Sequence, residues 1–570
     1  MSDISSPAPA GQPQEHFVRL RDGVRLATDV YLPEGFESGP TVLVRTPYDK
    51  RSRYTFLPQC APYFNERGYA FVVQDVRGKY RSEGVTLQAV HEVADGHDTL
   101  DWIVGQGWSD GVVGMFGDSY YAYTQWAALA SGHRALRALS SRMTSLAPPT
   151  ARPVGVTTPG TGPGVTPSRP GFSRPPSLDW AKYLGFYWLD QDEYEPQLDW
   201  SLRPPIRVFN DAFEQIGRRS PTFDAAIPHH IPQKVFVTGH PYDGPSVPVL
   251  HTLGWFDPIA KGGIGMYLEL AKRPAWAPLQ YLVAEAVDHE NYHVSDTPYA
   301  EDSDHDVNDA ALARMLPRYL GPSLDFFDVY LRGVKDPASL PRVSWDLAHA
   351  GRQQAAQWPL PDVREQILYL NDFAAAAGAP PGGRLTTIPP ADAESVQWTH
   401  DPDNPVRQEG EFLSLIRDYP DESHLGGRKD VVVFTSDAVG DAPVDLAGPV
   451  RVEVVVESDA PSTDLFVSLF DVYPNGEAHR MLSEQVTVDE MQPGGVLCEL
   501  DLGHTGYRLR PGHALRLHFR SSDAPDYLPH PGVGSNRWLV SETRKSLQRL
   551  RTDSLRPSRL VLTHLPTDNT

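Results

Sequence analysis

Short apolar runs alternate with helix-length amphipathic stretches as far as about residue 345, and this alternation most constrains the fold. It is typical of a mostly parallel β-sheet whose strands are connected by crossover helices, so we predict an α/β core. Residues 18–32 alternate with a period of two around Asp22-Gly23 and predict an opening β-hairpin. The strands predicted after it are Thr41 to Arg45, Tyr69 to Gln74, Val112 to Phe116, Val247 to Leu253 and Leu279 to Ala284.

About a hundred residues separate the third of these strands from the fourth, which is too many for a plain connection in a compact sheet. This interruption is rich in Pro and Gly from Pro148 to Pro176, and then aromatic and acidic around Trp188. We predict an inserted, mainly helical cap that covers the active site as a lid. The alternative is a mobile surface excursion.

After a last helix-like run, Phe326 to Leu331, the pattern changes to short β runs divided by Pro, Gly and Asp, such as Val450 to Val456. This pattern indicates a separate C-terminal β-sandwich of the jelly-roll type. The predicted domains are a flexible tail at 1–15, an α/β catalytic domain at 16–145 and 247–345, the cap at 146–246, and the β-sandwich at 346–570.

The net charge of −22 disfavours nucleic acid and anionic membranes as partners, because both reward clustered Lys and Arg. Cys60 and Cys498 are far apart in the sequence, which fits a reducing compartment without a disulfide framework. Residues 1–15 lack the basic start and apolar core of a secretory signal, and no apolar run is long enough to span a membrane. We therefore expect a cytoplasmic protein.

Motifs for metals and cofactors are weak in this sequence. His91-Glu92-Val93-Ala94-Asp95 approaches a zinc-protease motif but lacks its second histidine, and is better interpreted as the start of a solvated helix face. His229-His230 has no spaced partners that would complete a ligand set. Since no glycine loop that could bind phosphate is present either, we expect no metal and no cofactor.

Gly117-Asp118-Ser119 lies between an apolar strand and a helix-like run. A serine at such a turn can hold its hydroxyl exposed, with backbone N–H groups beside it to receive an oxyanion. Ser109 is a rival, because Gly107 to Gly111 match the literal G-x-S-x-G pattern. Ser109, however, precedes the strand and is predicted to be a turn residue at the wrong edge, since ligands bind beyond the carboxyl ends of parallel strands. Ser119 is therefore the predicted nucleophile.

A serine nucleophile needs an imidazole to accept its proton and a carboxylate to orient that imidazole. Asp257 comes just after the strand ending at Leu253, and His289 lies in the loop after the next strand. Taken alone, Asp257 before Pro258 would be a cap or turn residue and His289 a surface residue, with His293 a rival base. The order nucleophile, acid, histidine at one sheet edge favours a catalytic triad.

Longer motifs extend almost from end to end of the chain. With them the sequence resembles the cocaine esterase-like branch of the α/β-hydrolases, which includes X-prolyl dipeptidyl peptidases and α-amino-acid ester hydrolases. The motifs are Arg21 to Leu26, Thr46-Pro47-Tyr48-Asp49-Lys50, Gln74 to Gly78, Ser82-Glu83-Gly84, Val113 to Tyr120, Gly254-Trp255-Phe256-Asp257, Phe326-Phe327-Asp328 and Asp471 to Gly476.

The resemblance implies Ser119 as nucleophile, His289 as general base and acid, and Asp257 as the carboxylate that orients it. It also implies an oxyanion hole formed by the backbone N–H of Tyr120 and the phenol of Tyr48, although Tyr48 could instead be only a buried aromatic residue. The expected activity is that of a serine hydrolase that cleaves an ester or amide of a small acyl substrate through an acyl-enzyme. A homodimer is expected by family analogy alone.

Two other uses of this fold stay open from sequence. The acyl-enzyme could serve acyl transfer, X-Pro dipeptide release or amino-acid ester hydrolysis, or the fold could be a degenerate one that only binds a ligand. Asp118, where small or apolar residues are common in the family, and the run Glu285 to Asp288 before His289 depart from the family pattern. Asp118, Asp288 and Glu290 would favour a cationic group such as a free α-amine. They could equally face solvent or pair with Arg.

Overall fold

The computed structural model describes residues 12–146, 171–229, 231, 235–294, 304–408, 416–417, 419–534 and 536–566. The predicted tail lies outside this part of the chain up to residue 11, as does most of the Pro- and Gly-rich start of the insert. No helix in the described ranges is long and apolar enough to cross a lipid bilayer.

The first eleven strands extend to residue 355, and ten of them form one sheet. They are β1 (Gln14–Arg19), β2 (Arg25–Tyr31), β3 (Gly39–Thr46), β4 (Ala70–Asp75), β5 (Ser109–Asp118), β6 (Leu136–Arg142), β7 (Phe172–Ser173), β8 (Val249–Gly254), β9 (Gln280–Glu285), β10 (Val343–Leu347) and β11 (Gly351–Ala355). The order in the sheet is β1-β2-β4-β3-β5-β6-β8-β9-β10-β11, and β7 lies elsewhere.

The strands from β4 to β10 along this order run parallel, and the antiparallel pairs β1-β2, β2-β4 and β10-β11 lie at the two ends. β4, β8 and β9 are buried along their whole length, which explains why each appears in the sequence as a mostly apolar run. The predicted α/β class is confirmed.

Eight α-helices accompany the strands in the described residues. They are α1 (Leu57–Glu66), α2 (Glu92–Val104), α3 (Ser119–Ala130), α4 (Leu178–Lys182), α5 (Ile206–Ile216), α6 (Pro221–Ala226), α7 (Ala260–Ala271) and α8 (Asp309–Tyr330). Apolar side chains of α2, α3 and α7 pack in one cluster with the sheet, and those of α1 and α8 pack in another. Strand residues alternate between these two clusters, so helices cover both faces of the sheet.

Several predicted boundaries are wrong. The tail ends before Gln14, because Gln14 and Glu15 pair with Val30 and Asp29 in the opening hairpin. β6 was not predicted. Ser109 is the first residue of β5 rather than a turn residue, since it pairs with Gly39 of β3. It nevertheless lies at the opposite end of that strand from Ser119.

The sheet also extends past the predicted domain limit at residue 345, which falls inside β10. The reason is that Val343, Ser344 and Trp345 pair in parallel with the last residues of β9, and β11 then folds back on β10. The sheet of the catalytic domain therefore ends at Ala355.

The C-terminal region is built from strands only, apart from short 3₁₀ turns, over its described residues. The strands are β12 (Arg364–Asn371), β13 (Gly383–Thr386), β14 (Glu394–His400), β15 (Val432–Ser436), β16 (Val444–Ser458), β17 (Thr463–Val472), β18 (Ala478–Val488), β19 (Val496–Leu509), β20 (Ala514–Arg520), β21 (Ser546–Thr552) and β22 (Arg559–His564). All their pairings are antiparallel except β13 with β15. The predicted β-rich C-terminal domain is confirmed.

The insert contains α4 to α6 and packs around its own phenylalanines, of which Phe186, Phe209 and Phe223 are examples. Trp538 of the C-terminal domain belongs to the same apolar cluster. β7, at the start of the insert, pairs with β18 of that domain. The helical cap is therefore attached to the C-terminal domain as well as to the α/β sheet.

Candidate active site

Ser119 lies at the junction of β5 and α3 with φ of +53°, a left-handed value that a serine adopts only when its surroundings hold it there. Gly117, two residues earlier, has φ of +148°, and a Cβ atom at this position would be 2.1 Å from Cδ2 of Tyr121. Only glycine therefore allows the Tyr121 ring to close over the turn. The half-buried Ser119 is held at the carboxyl end of the central strand.

Asp257 follows β8 and is buried. Its Oδ1 accepts a hydrogen bond from the backbone N–H of Ile259 at 2.8 Å and lies 3.0 Å from Nδ1 of His289. A Cβ atom on Gly254 would be 2.3 Å from the carbonyl oxygen of Val287, so this glycine lets the ends of β8 and β9 approach closely. The approach brings the loops of Asp257 and His289 together.

His289 completes a continuous series of hydrogen bonds, because its Nε2 lies 3.1 Å from Oγ of Ser119. The backbone N–H groups of Glu290 and Tyr292 both donate to Oδ1 of Asp288. These hydrogen bonds stabilise the tight loop that contains His289. The rival base His293 is half exposed, with Nε2 3.7 Å from a carboxylate oxygen of Asp346 in β10. The structure thus brings together Ser119, Asp257 and His289.

The charges around His289 determine its affinity for a proton. Burial lowers the pKa of His289, but the adjacent Asp257 carboxylate, and more distantly Glu290 and Asp118, raise it by more, to about 9. A neutral imidazole is needed to accept a proton from Ser119. The site therefore becomes a better general base as the pH rises toward that value.

Tyr48 follows β3 and lies beside the Ser119 turn, with its hydroxyl 3.2 Å from that of Tyr183 in the cap. Burial raises the pKa of Tyr48, and hydrogen bonding with Tyr183, Ser119 and the backbone of Tyr120 only partly opposes this. The phenol is consequently protonated at neutral pH and able to donate.

Only the backbone of Tyr120 is available to a substrate, because its buried hydroxyl donates to Oε1 of Glu92 at 3.0 Å and accepts from the N–H of Ala89. The N–H of Tyr120 lies in the first turn of α3, where backbone donors have no partner within the helix. This N–H hydrogen-bonds to the phenol oxygen of Tyr48, and the phenol hydrogen-bonds to Ser119, so both groups lie at the Ser119 turn.

The extra carboxylates do not form a free acidic surface. Asp118 is buried and accepts from Arg142 at 2.7 Å, and Asp288 is fully buried with backbone donors. Burial, with Glu290 nearby, raises the pKa of Asp288 well above its usual value. Glu290 lies 3.6 Å from Arg417. The expectation that Asp118 and Asp288 would face a cationic substrate is therefore not supported.

Aromatic residues that the sequence motifs did not identify surround Tyr48. The rings of Tyr54, Tyr121 and Tyr187 have centroids 6.0, 6.1 and 5.7 Å from that of Tyr48, and Tyr183 stacks on Tyr187. The aromatic patch of the insert was the available sequence signal for Tyr183 and Tyr187. Nothing local in the sequence distinguishes Tyr54.

One group of described side chains has ligand atoms close enough for a metal ion, namely His97, Asp98 and Asp101 on α2. The guanidinium of Arg21 already binds Asp98 and lies 3.2 Å from Nδ1 of His97. A cation of the protein itself therefore already binds one of the two carboxylates of this group.

Comparison with known proteins agrees with this architecture over nearly the whole chain. Residues 22–291 match the X-Pro dipeptidyl-peptidase (S15) family, and residues 336–561 match the X-Pro dipeptidyl-peptidase C-terminal non-catalytic domain. The cocaine esterase of Rhodococcus sp. (strain MB1 Bresler) is 29% identical over 585 residues, which cover 96% of this chain and 97% of that protein.

Two solved structures share the fold. An α-amino acid ester hydrolase is 24% identical with a TM-score of 0.76, covering 99% of this chain and 98% of its own. An aminopeptidase from a marine sediment Thaumarchaeota archaeon is 21% identical with the same TM-score and covers 99% of both chains. The chain is a serine hydrolase that is similar over nearly its whole length to a cocaine esterase, with an α/β-hydrolase domain that matches the X-Pro dipeptidyl-peptidase (S15) family and a β-rich domain that matches its non-catalytic C-terminal domain.

Proposed function

We propose that Ser119, His289 and Asp257 hydrolyse an ester or amide bond of a small acyl substrate through an acyl-enzyme. The observation that supports this most directly is the continuous series of hydrogen bonds from Asp257 to His289 at 3.0 Å and from His289 to Ser119 at 3.1 Å. Such a series is what a weakly nucleophilic hydroxyl needs in order to lose its proton during attack.

In the first half-reaction Oγ of Ser119 attacks the carbonyl carbon while Nε2 of His289 takes its proton. Oδ1 of Asp257 holds Nδ1–H of His289, which fixes the tautomer and stabilises the imidazolium. His289 then returns the proton to the leaving alcohol or amine, and the acyl group remains on Ser119. A water molecule activated by His289 attacks the acyl-enzyme in the second half-reaction.

Negative charge develops on the carbonyl oxygen in both tetrahedral intermediates. We assign the backbone N–H of Tyr120 and the phenol of Tyr48 as its donors, because the phenol hydrogen-bonds both to Ser119 and to the backbone of Tyr120. Donors held in place before the reaction stabilise such an oxyanion without having to reorganise.

The aromatic surroundings of the site favour an aromatic group in the substrate. Tyr54 and Tyr121 contact Tyr48 edge to face, Tyr187 contacts it at a tilt, and Tyr54 leaves 47% of its surface exposed. Tyrosine rings offer apolar area and ring faces to a planar ligand. We therefore propose an ester with an aromatic acyl or alcohol part, consistent with the name of the Rhodococcus relative.

Labelling by a fluorophosphonate, followed by mass spectrometry of the labelled peptide, tests the nucleophile. We expect one label on Ser119, no label and no hydrolysis in Ser119→Ala, and normal labelling in the matched variant Ser109→Ala. A label that persists in Ser119→Ala would refute the proposal.

Substrate class is tested by comparing kcat/KM for acetyl, benzoyl and free aminoacyl esters of one alcohol, with and without an added amine. We expect the benzoyl ester to be preferred and the free acid to be the main product. Preference for the aminoacyl ester would reject the aromatic substrate, and capture of the acyl group by the amine would indicate acyl transfer.

A further inference from the structure

Asp118 directly precedes the proposed nucleophile and is buried, with 5% of its surface exposed. Both of its carboxylate oxygens have partners within the protein. Oδ1 accepts from Nε of Arg142 at 2.7 Å, and Oδ2 accepts from the hydroxyl of Tyr319 at 2.8 Å and from the amide of Asn291 at 3.3 Å. The side chain therefore belongs to a network beneath the Ser119 turn.

Arg142, the last residue of β6, is completely buried at the centre of this network. Besides Asp118, its Nη2 donates to Oδ1 of Asn291 at 3.0 Å and lies 3.5 Å from Oε2 of Glu285. The ring of Tyr319 packs on the guanidinium, with its centroid 4.1 Å from Cζ. A planar guanidinium can make bonds in several fixed directions, which a lysine ammonium cannot match.

The two main partners of Arg142 stand next to the two reacting side chains. Asp118 precedes Ser119 by one residue, and Asn291 follows His289 by two. Asn291 has φ of +69°, a left-handed value that its bonds to Arg142 and Asp118 help to hold. One buried side chain thus connects the turn that bears the nucleophile to the loop that bears the base.

We infer that Arg142 is a positioning residue that keeps Ser119 and His289 in hydrogen-bonding register by binding Asp118 and Asn291 at the same time. This inference rests on the proposed roles of Ser119 and His289. It also explains why a carboxylate stands before the nucleophile, where the family usually has a small or apolar residue: here Asp118 is the counter-ion of Arg142.

Arg142 has an electrostatic effect as well. The acidic groups that raise the pKa of His289 most are Asp257 after β8, Glu290 in its own loop and Asp118 at the end of β5, and the buried Asp288 beside it also interacts with it. Arg142 compensates the last of these. Its removal should therefore leave an uncompensated negative charge near His289 and stabilise the protonated, inactive imidazolium.

Three variants separate geometry from charge in steady-state kinetics across pH. In Arg142→Met we expect kcat to fall about 10- to 100-fold, because Ser119 and His289 would shift relative to each other by on the order of 1 Å. KM should change less than about threefold. The acid limb of kcat/KM should move to higher pH. Arg142→Lys keeps the positive charge but not the geometry, so kcat should fall while the acid limb of kcat/KM stays in place. The double variant Asp118→Asn/Arg142→Met removes both charges, so the acid limb should return to its wild-type position while kcat stays low.

Arg352→Met is the matched control, because Arg352 is another largely buried arginine that binds Glu285 and Asp346 but neither Asp118 nor Asn291. We expect it to lower the melting temperature without moving the acid limb. The inference is overturned if Arg142→Met retains kcat and the limb, or if Arg352→Met changes both equally.

If Arg142→Met does not fold, Arg142→Lys decides: its kcat must fall while its acid limb stays in place for the inference to hold. Fluorophosphonate labelling of the wild-type Ser119 is scored separately. If wild-type Ser119 is labelled but these variants leave kcat and the acid limb unchanged, the role of Arg142 is overturned and the proposed hydrolase chemistry is not.

Discussion

At the scale of single residues, the charged groups around His289 should affect the reaction rate by changing how readily His289 is protonated. Three carboxylates raise the pKa of His289 to about 9 against the effect of burial, so the imidazole is mostly protonated at neutral pH in the free enzyme. The active form is the neutral one. We therefore expect kcat/KM to rise with pH through the neutral range and to level off above about 9.

Glu290→Gln tests the electrostatic cause of this profile. Removing a negative charge that raises the pKa of His289 should shift the rising limb of kcat/KM to lower pH, as measured with a substrate that does not titrate there. A limb that stays in place, in a variant with a normal melting temperature, would show that another group controls the profile.

Tyr48 offers a second test at this scale. Tyr48→Phe removes only the hydroxyl that we assign to the oxyanion hole and leaves the ring among Tyr54, Tyr121 and Tyr187. We expect kcat to fall by roughly 10²–10³-fold with little change in KM, since the interaction is made mainly in the transition state. Unchanged turnover in folded protein would limit Tyr48 to a packing role.

At the scale of elements, α4 and the π-helical turn that continues it at Tyr183–Tyr187 connect the cap to the active site. The N–H of Leu178 donates to the carbonyl of Asp526 in the C-terminal domain at 2.7 Å, and the N–H of Leu528 donates back to Pro176. Five residues after Leu178, Tyr183 reaches the hydroxyl of Tyr48 at 3.2 Å. The position of the cap is therefore coupled to Tyr48, the proposed oxyanion donor.

Tyr183→Phe tests that coupling, because it keeps the stacking on Tyr187 and removes only the hydroxyl. We expect kcat to fall by about 3- to 10-fold, the equivalent of a neutral hydrogen bond of roughly 0.5–1.5 kcal/mol. The loss should disappear when Tyr48 is already phenylalanine, which a double-mutant cycle measures. Additive losses in the two variants would mean that Tyr183 acts independently of Tyr48.

At the scale of the whole molecule, the position of Asp257, the carboxylate of the proposed triad, depends on packing between domains. Trp255 and Phe256 directly precede Asp257 and belong to the same apolar cluster as the core of the C-terminal domain. A Cβ atom on Gly506 of β19 would be 2.5 Å from the carbonyl oxygen of Asp346 and 2.8 Å from Nε1 of Trp255. The C-terminal domain thus supports Asp257 without contributing a reacting group.

Gly506→Ala should therefore affect both stability and activity. We expect a loss of about 1–3 kcal/mol in the free energy of unfolding, as for overpacking, together with a lower kcat/KM as Trp255 is displaced. Gly427→Ala is the control, because a Cβ atom there meets nothing within 4 Å. Equal effects of the two substitutions, in thermal melts and in kinetics, would reject support of Asp257 by the C-terminal domain.

The sequence by itself determined the central strands and the order of the site residues. β8, β9 and the last six residues of β5 are buried, so each appears as a mostly apolar run, and a polar residue directly after such a run must lie at the carboxyl edge. Ser119, Asp257 and His289 could be identified for that reason. β6 could not, because its sequence, Leu-Arg-Ala-Leu-Ser-Ser-Arg, has polar residues that are paired only in three dimensions.

Only the tertiary structure decided what the charged and aromatic residues near Ser119 do. Asp118 and Asn291 are 173 positions apart, and whether they bind each other depends on which strand ends are neighbours in the sheet. In the same way Tyr183 comes to Tyr48 across 135 positions, because the cap folds back over β3. Local sequence patterns indicate which residues are buried and whether a segment has helix or strand periodicity. Ion pairs and hydrogen bonds between distant segments depend instead on the packing of the whole chain.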